Sequence, residues 1–214
     1  MNDRGPGDEK EQRQVMKTAF EAGQPTSLRY RRGNGVGVKL DAELKALPIG
    51  KGEVMREGNA AAIFAIGGEV WPAINAAEML AKEGVNVAVI NGRFIKPLDD
   101  ELIARFCKPN AKIITVEEGS LAGGFGSAVM ERVQQLGIDG VKFHRIGIPD
   151  EYVHHGSQAV RPHESDPPWT KFVGHSEITG YEAMARVRLG APDPATRPYH
   201  AVPDHPARSP PDPA

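Results

Sequence analysis

The stretch AAIFAIGGEVWPAINAAEMLAKEGVNVAVI (61–90) decides the fold of this chain. It begins and ends with the short apolar runs AAIFAI (61–66) and VNVAVI (85–90), which are typical of strands buried on both faces. Between these runs, apolar residues recur at the spacing of one helix face: Val70, Ile74, Ala77 and Ala81. The stretch therefore predicts a strand, a covering helix and a second, parallel strand.

The same alternation continues on either side of this stretch. KIITV (112–116) and VKFHRI (141–146) predict two more central strands, and KGEVM (51–55) predicts an edge strand. Helices are predicted at 99–106, where Asp99 is a suitable N-cap, and at 123–136. Their apolar faces consist of Leu102, Ile103 and Phe106 in the first helix, and Phe125, Val129, Val133 and Leu136 in the second. We therefore predict a three-layer α/β/α domain with a mostly parallel sheet over residues 50–158.

A smaller unit precedes this domain. DEKEQRQVMKTAFEAG (8–23) predicts a helix, followed by the strand TSLRY (26–30) and, over 39–49, by a linker. The predicted apolar face of the helix consists of Val15, Met16, Ala19 and Phe20. One helix and one strand cannot bury each other's apolar faces. We therefore interpret residues 1–38 as the remnant of another α/β domain, with an apolar face that lacks a partner and promotes mobility or self-association.

The last part of the chain, 159–214, has a different composition. It carries 11 of the 18 prolines and four of the seven histidines of the chain. Frequent proline and the lack of an apolar period are typical of disorder. We therefore predict a largely disordered tail that includes one short helix at 176–188.

Composition and charge exclude several classes of protein. The chain has 26 Lys and Arg against 28 Asp and Glu, a net charge of −2, which argues against nucleic-acid or anionic-membrane partners recognised by charge alone. A single cysteine, Cys107, excludes an internal disulfide and a thiolate-rich metal site. No apolar run approaches the ~20 residues that span a bilayer. We expect a cytoplasmic protein.

The glycine clusters are weak candidates for phosphate loops. RRGNGVGV (31–38) has the spacing G-x-G-x-G and opens no helix, unlike a dinucleotide-binding turn. GGFG (123–126) opens a predicted helix and could hold an anion at its N-terminus. Close packing of helix against sheet is the better explanation of these glycines, and we favour that interpretation.

Two acidic residues follow a predicted strand. Glu117 and Glu118 lie at its carboxyl end, where open α/β sheets place ligand sites. Adjacent residues of a strand point to opposite sides, so we favour an interaction with the dipole of the next helix over acid–base chemistry. His154 and His155 are neighbours that cannot easily chelate one metal, and Cys107 is interpreted as a buried thiol.

A cluster of arginines is the most suggestive polar feature. Arg29, Arg31 and Arg32 leave a predicted strand beside a glycine-rich turn. Guanidinium groups in this arrangement are suited to grip a phosphate monoester through paired hydrogen bonds. A solvated basic loop is an equally good interpretation of the spacing alone.

Five motifs, in this order and spacing, resemble one family. They are LRYRRGNGVGV (28–38), LPIGKGEVMREG (47–58), INGRFIKPLDDELI (90–103), ITVEEGSLAGGFGSAV (114–129) and IGIPDEYVHHGS (146–157). Over residues 8–158 the chain resembles the C-terminal third of the 1-deoxy-D-xylulose 5-phosphate synthases, a transketolase-like family that uses thiamine diphosphate. The resemblance implies a transketolase C-terminal domain at 50–158, preceded by the end of a pyrimidine-binding domain.

The resemblance also implies an activity. These synthases condense pyruvate with glyceraldehyde 3-phosphate, losing carbon dioxide, at the start of isoprenoid, thiamine and pyridoxal synthesis. Their cofactor and Mg²⁺ are held by a G-D-G motif and an activating glutamate, and neither is found in this sequence. The resemblance therefore implies no catalytic, cofactor-binding or metal-binding residue here. It implies instead a partner chain that supplies those domains, or a homodimer formed through the C-terminal domain.

One site residue is implied by the resemblance. The family's R-Y-P-R-G motif uses its second arginine to contact the phosphate of the acceptor substrate, and Arg32 matches that position, with Arg31 replacing the proline. Two alternatives stay open: a non-catalytic scaffold domain, and a β-type subunit of a 2-oxo-acid dehydrogenase. The residue sequences Y-R-R-G-N-G and R-F-I-K-P-L-D favour the synthases over the dehydrogenases.

Overall fold

The structure is a computed structural model, and it describes residues 2–30 and 35–148. The strands in chain order are β1 (Asn2–Arg4), β2 (Thr26–Leu28), β3 (Glu53–Arg56), β4 (Ala61–Ala65), β5 (Val87–Asn91), β6 (Phe94–Lys96), β7 (Lys112–Ser120) and β8 (Lys142–Ile148). The helices are α1 (Glu9–Glu21), α2 (Val70–Lys82), α3 (Asp100–Phe106) and α4 (Phe125–Gln135). The predicted tail, its helix at 176–188, and Arg31, Arg32, His154 and His155 lie outside the described residues.

Five strands form the main sheet, in the order β3-β5-β4-β7-β8. The last four of these pair in parallel, and β3 pairs antiparallel with β5. The mostly parallel sheet and the predicted edge strand are therefore confirmed. The prediction that 141–146 forms a central strand is wrong, because β8 is the outer strand of the described sheet. Its side chains alternate between buried and partly exposed, as an edge position allows.

Helices cover both faces of this sheet. On one face, α2 packs Val70, Ala77 and Leu80 against β4, β5 and β7. On the other face, Ile103 of α3 and Phe125 of α4 pack against the same strands. The predicted three layers are confirmed, since continuously apolar strands need cover on both sides.

Two predicted core positions are exposed. Ala81 is exposed because α2 instead turns Ala73, Ala76 and Leu80 towards the sheet, where the small alanine side chains allow close packing. Leu136 is the C-cap of α4, just after the last residue of the helix, and its side chain is exposed there. The N-cap prediction for Asp99 is confirmed, because its Oδ1 accepts hydrogen bonds from Glu101 N and Leu102 N at 3.0 and 3.2 Å.

A second sheet, of order β2-β1-β6, includes the start of the chain. β1 pairs in parallel with β2 and antiparallel with β6, so a strand of the main domain's sequence completes it. Neither β1 nor β6 follows from the sequence pattern. Both are only three residues long, and β1 consists of polar residues whose strand conformation depends on distant pairing partners.

The buried face of α1 differs from the predicted apolar face. Val15 is fully buried, which contradicts the expectation that it lacks a partner. Met16 and Phe20 are 44% and 85% exposed, so the prediction that they form its face with Val15 is wrong. Glu11 and Thr18 are buried in their place. Hydrogen bonds from the rest of the chain determine which face of α1 is buried. The spacing of hydrophobic residues carries no information about these hydrogen bonds.

Residues 35–49 run along α1 as an extended strap. The side chains of Lys10 and Gln14 contact Asp41 at 3.2 Å each. Further along the helix, Lys17 Nζ donates to Leu44 O at 2.8 Å, and Thr18 Oγ1 accepts from Leu47 N at 2.7 Å. The segment predicted as a linker is therefore fastened to α1 at successive turns.

Candidate functional site

The chain has a crevice at the carboxyl edge of the main sheet, between β4 and β7. The connection after β4 runs to α2 on one face, and the connection after β7 runs to α4 on the other. Open α/β sheets bind ligands at such switch points. We call this site the carboxyl-edge crevice; its walls include Arg29, Tyr30, Glu117, Glu118 and Gly67.

The N-terminal segment fills most of this crevice. Gly67 N donates to Gly5 O at 3.2 Å, and Gly5 N donates to Arg93 O at 3.0 Å. The cavity that remains measures about 40 Å³, which is room for only a few water molecules. In this structure the N-terminal segment thus contacts the main domain at the position where α/β sheets usually bind a ligand.

Glu117 binds the N-terminus of α4. Its two carboxylate oxygens accept hydrogen bonds from Phe125 N at 2.7 Å and from Gly126 N at 2.8 Å. The anion at the GGFG turn is therefore a carboxylate of the same chain, and the predicted interaction with the helix dipole is confirmed for Glu117. A Cβ on Gly119 or Gly124 would lie 2.5 or 2.3 Å from Glu117 Oε2, which explains the glycines as space for this carboxylate.

The environment of Glu117 combines opposing effects on its pKa. Burial raises the pKa of this carboxyl, whereas the two backbone hydrogen bonds and the charges of Arg145 and Arg29 act to lower it. Because both oxygens are engaged by backbone N–H groups, the side chain is held as a structural ligand of α4. This contact is the structural role that the described geometry gives to Glu117.

Arg29 joins the end of β2 to the end of β7. Its Nη2 donates to Glu118 O at 2.9 Å, and its backbone N donates to Arg4 O at 3.0 Å. Glu118 thus contributes its carbonyl oxygen here, while Glu117 engages α4, so the two acidic neighbours have separate contacts. Arg29 and Tyr30 are thereby held at the carboxyl-edge crevice.

A buried polar cluster, which sequence reasoning missed, joins α1 to the main domain. Glu11 accepts hydrogen bonds from Gly7 N at 2.6 Å, from Asn91 Nδ2 at 3.0 Å and from Arg93 Nε. Arg93 also pairs with Glu53 and has a φ of 52°. We call Glu11, Asn91 and Arg93 the Glu11 clasp. The position of Glu11 one helical turn before Val15 is the signal that could have revealed its burial.

The described half of the glycine-rich stretch 31–38 holds another internal carboxylate. Glu9 accepts hydrogen bonds from Val36 N, Gly37 N and Val38 N at 2.9, 2.6 and 2.8 Å. Hydrogen bonds from its own backbone N–H and from these three groups hold the pKa of Glu9 below its usual value. Successive N–H groups form an anion-binding concavity of this kind, and here its occupant is a side chain of α1.

The described residues do not fit a metal or a thiolate nucleophile. Within 2–30 and 35–148, no group of three or more His, Cys, Asp or Glu is placed to hold a metal ion. Glu11 and Glu117 already direct their oxygens to donors of the same chain. Cys107 is a buried free thiol, as predicted, and burial raises its pKa to about 12. In the same part of the chain, no helix has the length and apolar character needed to cross a membrane.

Comparisons with known sequences identify close relatives. The chain is 50% identical over 153 residues to 1-deoxy-D-xylulose-5-phosphate synthase 1 of Geobacter metallireducens, covering 72% of this chain and 24% of that protein. It is also 50% identical over 155 residues to 1-deoxy-D-xylulose-5-phosphate synthase of Heliobacterium modesticaldum, with the same two shares. The resemblance predicted from the motifs is thereby confirmed. The chain spans about a quarter of the length of these relatives.

The fold and the domain family agree with this result. A solved structure described as "Split gene transketolase, inactive beta4 tetramer" matches with a TM-score of 0.70 and 26% identity, over 88% of this chain and 58% of that one. Residues 50–164 match the sequence family described as "Transketolase, C-terminal domain". The chain therefore belongs to the transketolase C-terminal domain family.

Proposed function

We propose that this chain is a fragment or subunit of a 1-deoxy-D-xylulose 5-phosphate synthase, which joins pyruvate and glyceraldehyde 3-phosphate with loss of carbon dioxide. The sequence identity to such synthases over 153 residues carries this proposal. The proposed domain division is 1–38 from a pyrimidine-binding domain, 39–49 as linker, 50–158 as C-terminal domain and 159–214 as a divergent tail. The proposed location is the cytoplasm.

The proposed role of the chain is to shape the acceptor side of a site completed by another chain. Thiamine diphosphate and Mg²⁺ would be held by the domains of that partner, since the described carboxylates fit neither group. The solved split-gene transketolase is described as an inactive tetramer of its β chain. By analogy, this chain alone is proposed to be inactive and able to self-associate through its C-terminal domain.

Arg32 is the proposed contact for the acceptor phosphate, and Arg29 supports that role. The hydrogen bond from Arg29 to Glu118 O anchors the end of β2 beside the crevice. Tyr30, the last described residue before Arg31, also lines this crevice, and α/β domains place their ligands at this edge of the sheet.

Reconstitution tests the activity. The chain is mixed with a protein supplying the cofactor-binding domains, and both carbon dioxide release from pyruvate and the condensed product are measured. Arg32→Ala should weaken use of the phosphorylated acceptor by about 30- to 1000-fold, from the ~2–4 kcal/mol of a paired charged contact. Pyruvate decarboxylation should change far less, and Arg13→Ala, at an exposed position on α1, is the matched control.

Two outcomes would contradict the proposal. An equal loss in both half-reactions on Arg32→Ala would remove the phosphate-contact role. Saturable micromolar binding of thiamine diphosphate and Mg²⁺ by the chain alone, measured by titration calorimetry, would show that the cofactor site does not depend on a partner.

A further inference from the structure

A second, larger cavity lies at the opposite edge of the main sheet, where β4 and β7 begin. It measures about 530 Å³, which is within the usual range for sites that bind small molecules. Its walls come from the loop before β4 and from the segment that joins α3 to β7. We call it the amino-edge cleft; the residues that matter below are Glu57, Arg105, Phe106, Lys108 and Lys112.

The charges that line this cleft are unbalanced. Arg105 pairs with Glu57 at 2.7 Å, which satisfies one positive charge. Among the described residues, neither Lys108 nor Lys112 makes an ion pair or a side-chain hydrogen bond. Because Glu57 is the acidic residue among the described groups of the lining, the cleft carries an excess of two positive charges.

The sheet register adds an independent observation. Lys112 of β7 is directly paired with Lys142 of β8, and both side chains are exposed. Like charges placed opposite each other on neighbouring strands destabilise a sheet. An anion bound beside Lys112 would relieve this repulsion, whereas the free chain has no described carboxylate that does so.

The cleft also has a fixed apolar wall. Phe106 packs edge-on against Phe64, with ring centroids 6.2 Å apart. The turn that carries Lys108 is held by two backbone hydrogen bonds, from Ala111 N to Lys108 O at 2.8 Å and from Asn110 N to Gly140 O at 3.0 Å. The backbone that carries Lys108 is therefore held in place beside the aromatic wall.

We infer that the amino-edge cleft binds a small phosphorylated organic molecule. Its phosphate lies between Lys108 and Lys112, because a dianion matches two unpaired ammonium groups. Its carbon portion lies along the start of β4, beside Phe106, whose ring carries the Arg105 guanidinium 4.9 Å from its centre. This site is at the far edge of the sheet from the carboxyl-edge crevice, and it does not depend on the proposed synthase activity.

The test is an amide NMR titration of the whole chain at constant ionic strength. Inorganic phosphate and glycerol 3-phosphate are added separately, and the signals of residues 108–112 are followed. We expect saturable shifts with both probes and tighter binding of glycerol 3-phosphate. Lys108→Gln combined with Lys112→Gln should weaken binding at least about tenfold. Lys39→Gln combined with Lys82→Gln removes the same charge elsewhere and should leave affinity within about twofold.

Three results would overturn the inference. Shifts that rise linearly without saturation would show no specific site. Equal affinity in the two double variants would show attraction by net charge rather than by the cleft. Equal affinity for inorganic phosphate and glycerol 3-phosphate would show that the cleft does not recognise the organic part of the ligand. Because all four substitutions are at exposed positions, the circular dichroism spectrum should stay unchanged and the comparison remain valid.

Discussion

The main domain and the N-terminal unit, residues 2–30, are stabilised in different ways. The five-stranded sheet buries aliphatic and aromatic side chains on both faces. The N-terminal unit buries Arg4 and Glu11 among a few apolar residues and leaves Phe20 and Met16 exposed. A sheet covered on both sides derives its stability from apolar area, whereas a small unit with one covering helix depends on polar contacts to its neighbour. The two regions should therefore respond differently to substitution.

The largest expected effect lies in the main domain. Phe125→Ala should lower the free energy of unfolding by about 3–5 kcal/mol, because it empties a fully buried aromatic site under α4. Phe20→Ala, in the N-terminal unit, should change it by less than about 0.5 kcal/mol, since that ring is exposed. Urea unfolding followed by circular dichroism measures both. A similar loss of unfolding free energy in the two variants would show that the two regions do not differ in this way.

Loss of the Glu11 clasp should destabilise the N-terminal unit more than the main domain. Glu11→Ala leaves the buried donors of Gly7, Asn91 and Arg93 without an acceptor, and the expected cost is about 2–3 kcal/mol. Hydrogen exchange should become faster in β1 and α1, while exchange in β4 and β7 stays slow. Glu21→Ala, which removes an exposed pair with Lys17, is the control and should cost about 0.5 kcal/mol or less. Uniformly faster exchange would instead show one cooperative unit.

Arg4→Met should stabilise the chain. The Arg4 guanidinium is fully buried, lies 4.9 Å from the centre of the Phe94 ring and donates a long hydrogen bond to Val15 O. Its Nε and Nη2 have no acceptor among the described residues, and burial lowers its pKa. An apolar side chain of similar length should raise the free energy of unfolding by about 1–2 kcal/mol. Arg13→Met, at an exposed position, should have no such effect, and a loss of stability in Arg4→Met would contradict this argument.

The smallest effect concerns the strap. The pKa of Glu9 is lower in the folded chain than in the unfolded chain. The contribution of ionised Glu9 to folding stability is therefore fully present above its unfolded pKa, and it is lost as the pH falls through its folded pKa. The amide NMR signals of Val36, Gly37 and Val38 should titrate together with a midpoint below about 4.3, the ordinary value for glutamate. Glu9→Gln should abolish that titration. A midpoint at or above the ordinary value would show that these hydrogen bonds are not formed in solution.

The sequence predicts most of the main domain because its signals are local. The four apolar runs, the caps and the alternation with helices each follow from neighbouring residues. The role of Glu117 was predictable in the same way, from its place between a strand end and a helix start. By contrast, β1 and β6 are strands because of pairing partners elsewhere in the chain, β2 and β6 for β1 and β1 for β6, and the burial of Glu11 depends on donors about 80 residues away. Local periodicity does not contain that information.

The pairing of β1 with β6 also bears on the order of folding. β1 has a nearby partner in β2, but Asp3 also pairs with Lys96 of β6, so this second partner becomes available only after about 90 further residues have been synthesised. Closing so long a loop has an entropic cost that must be met before the pairing contributes any stability. The main domain has its own core and nearer partners, so it is expected to assemble first. The pairing of β1 with β6 is then among the last contacts to form.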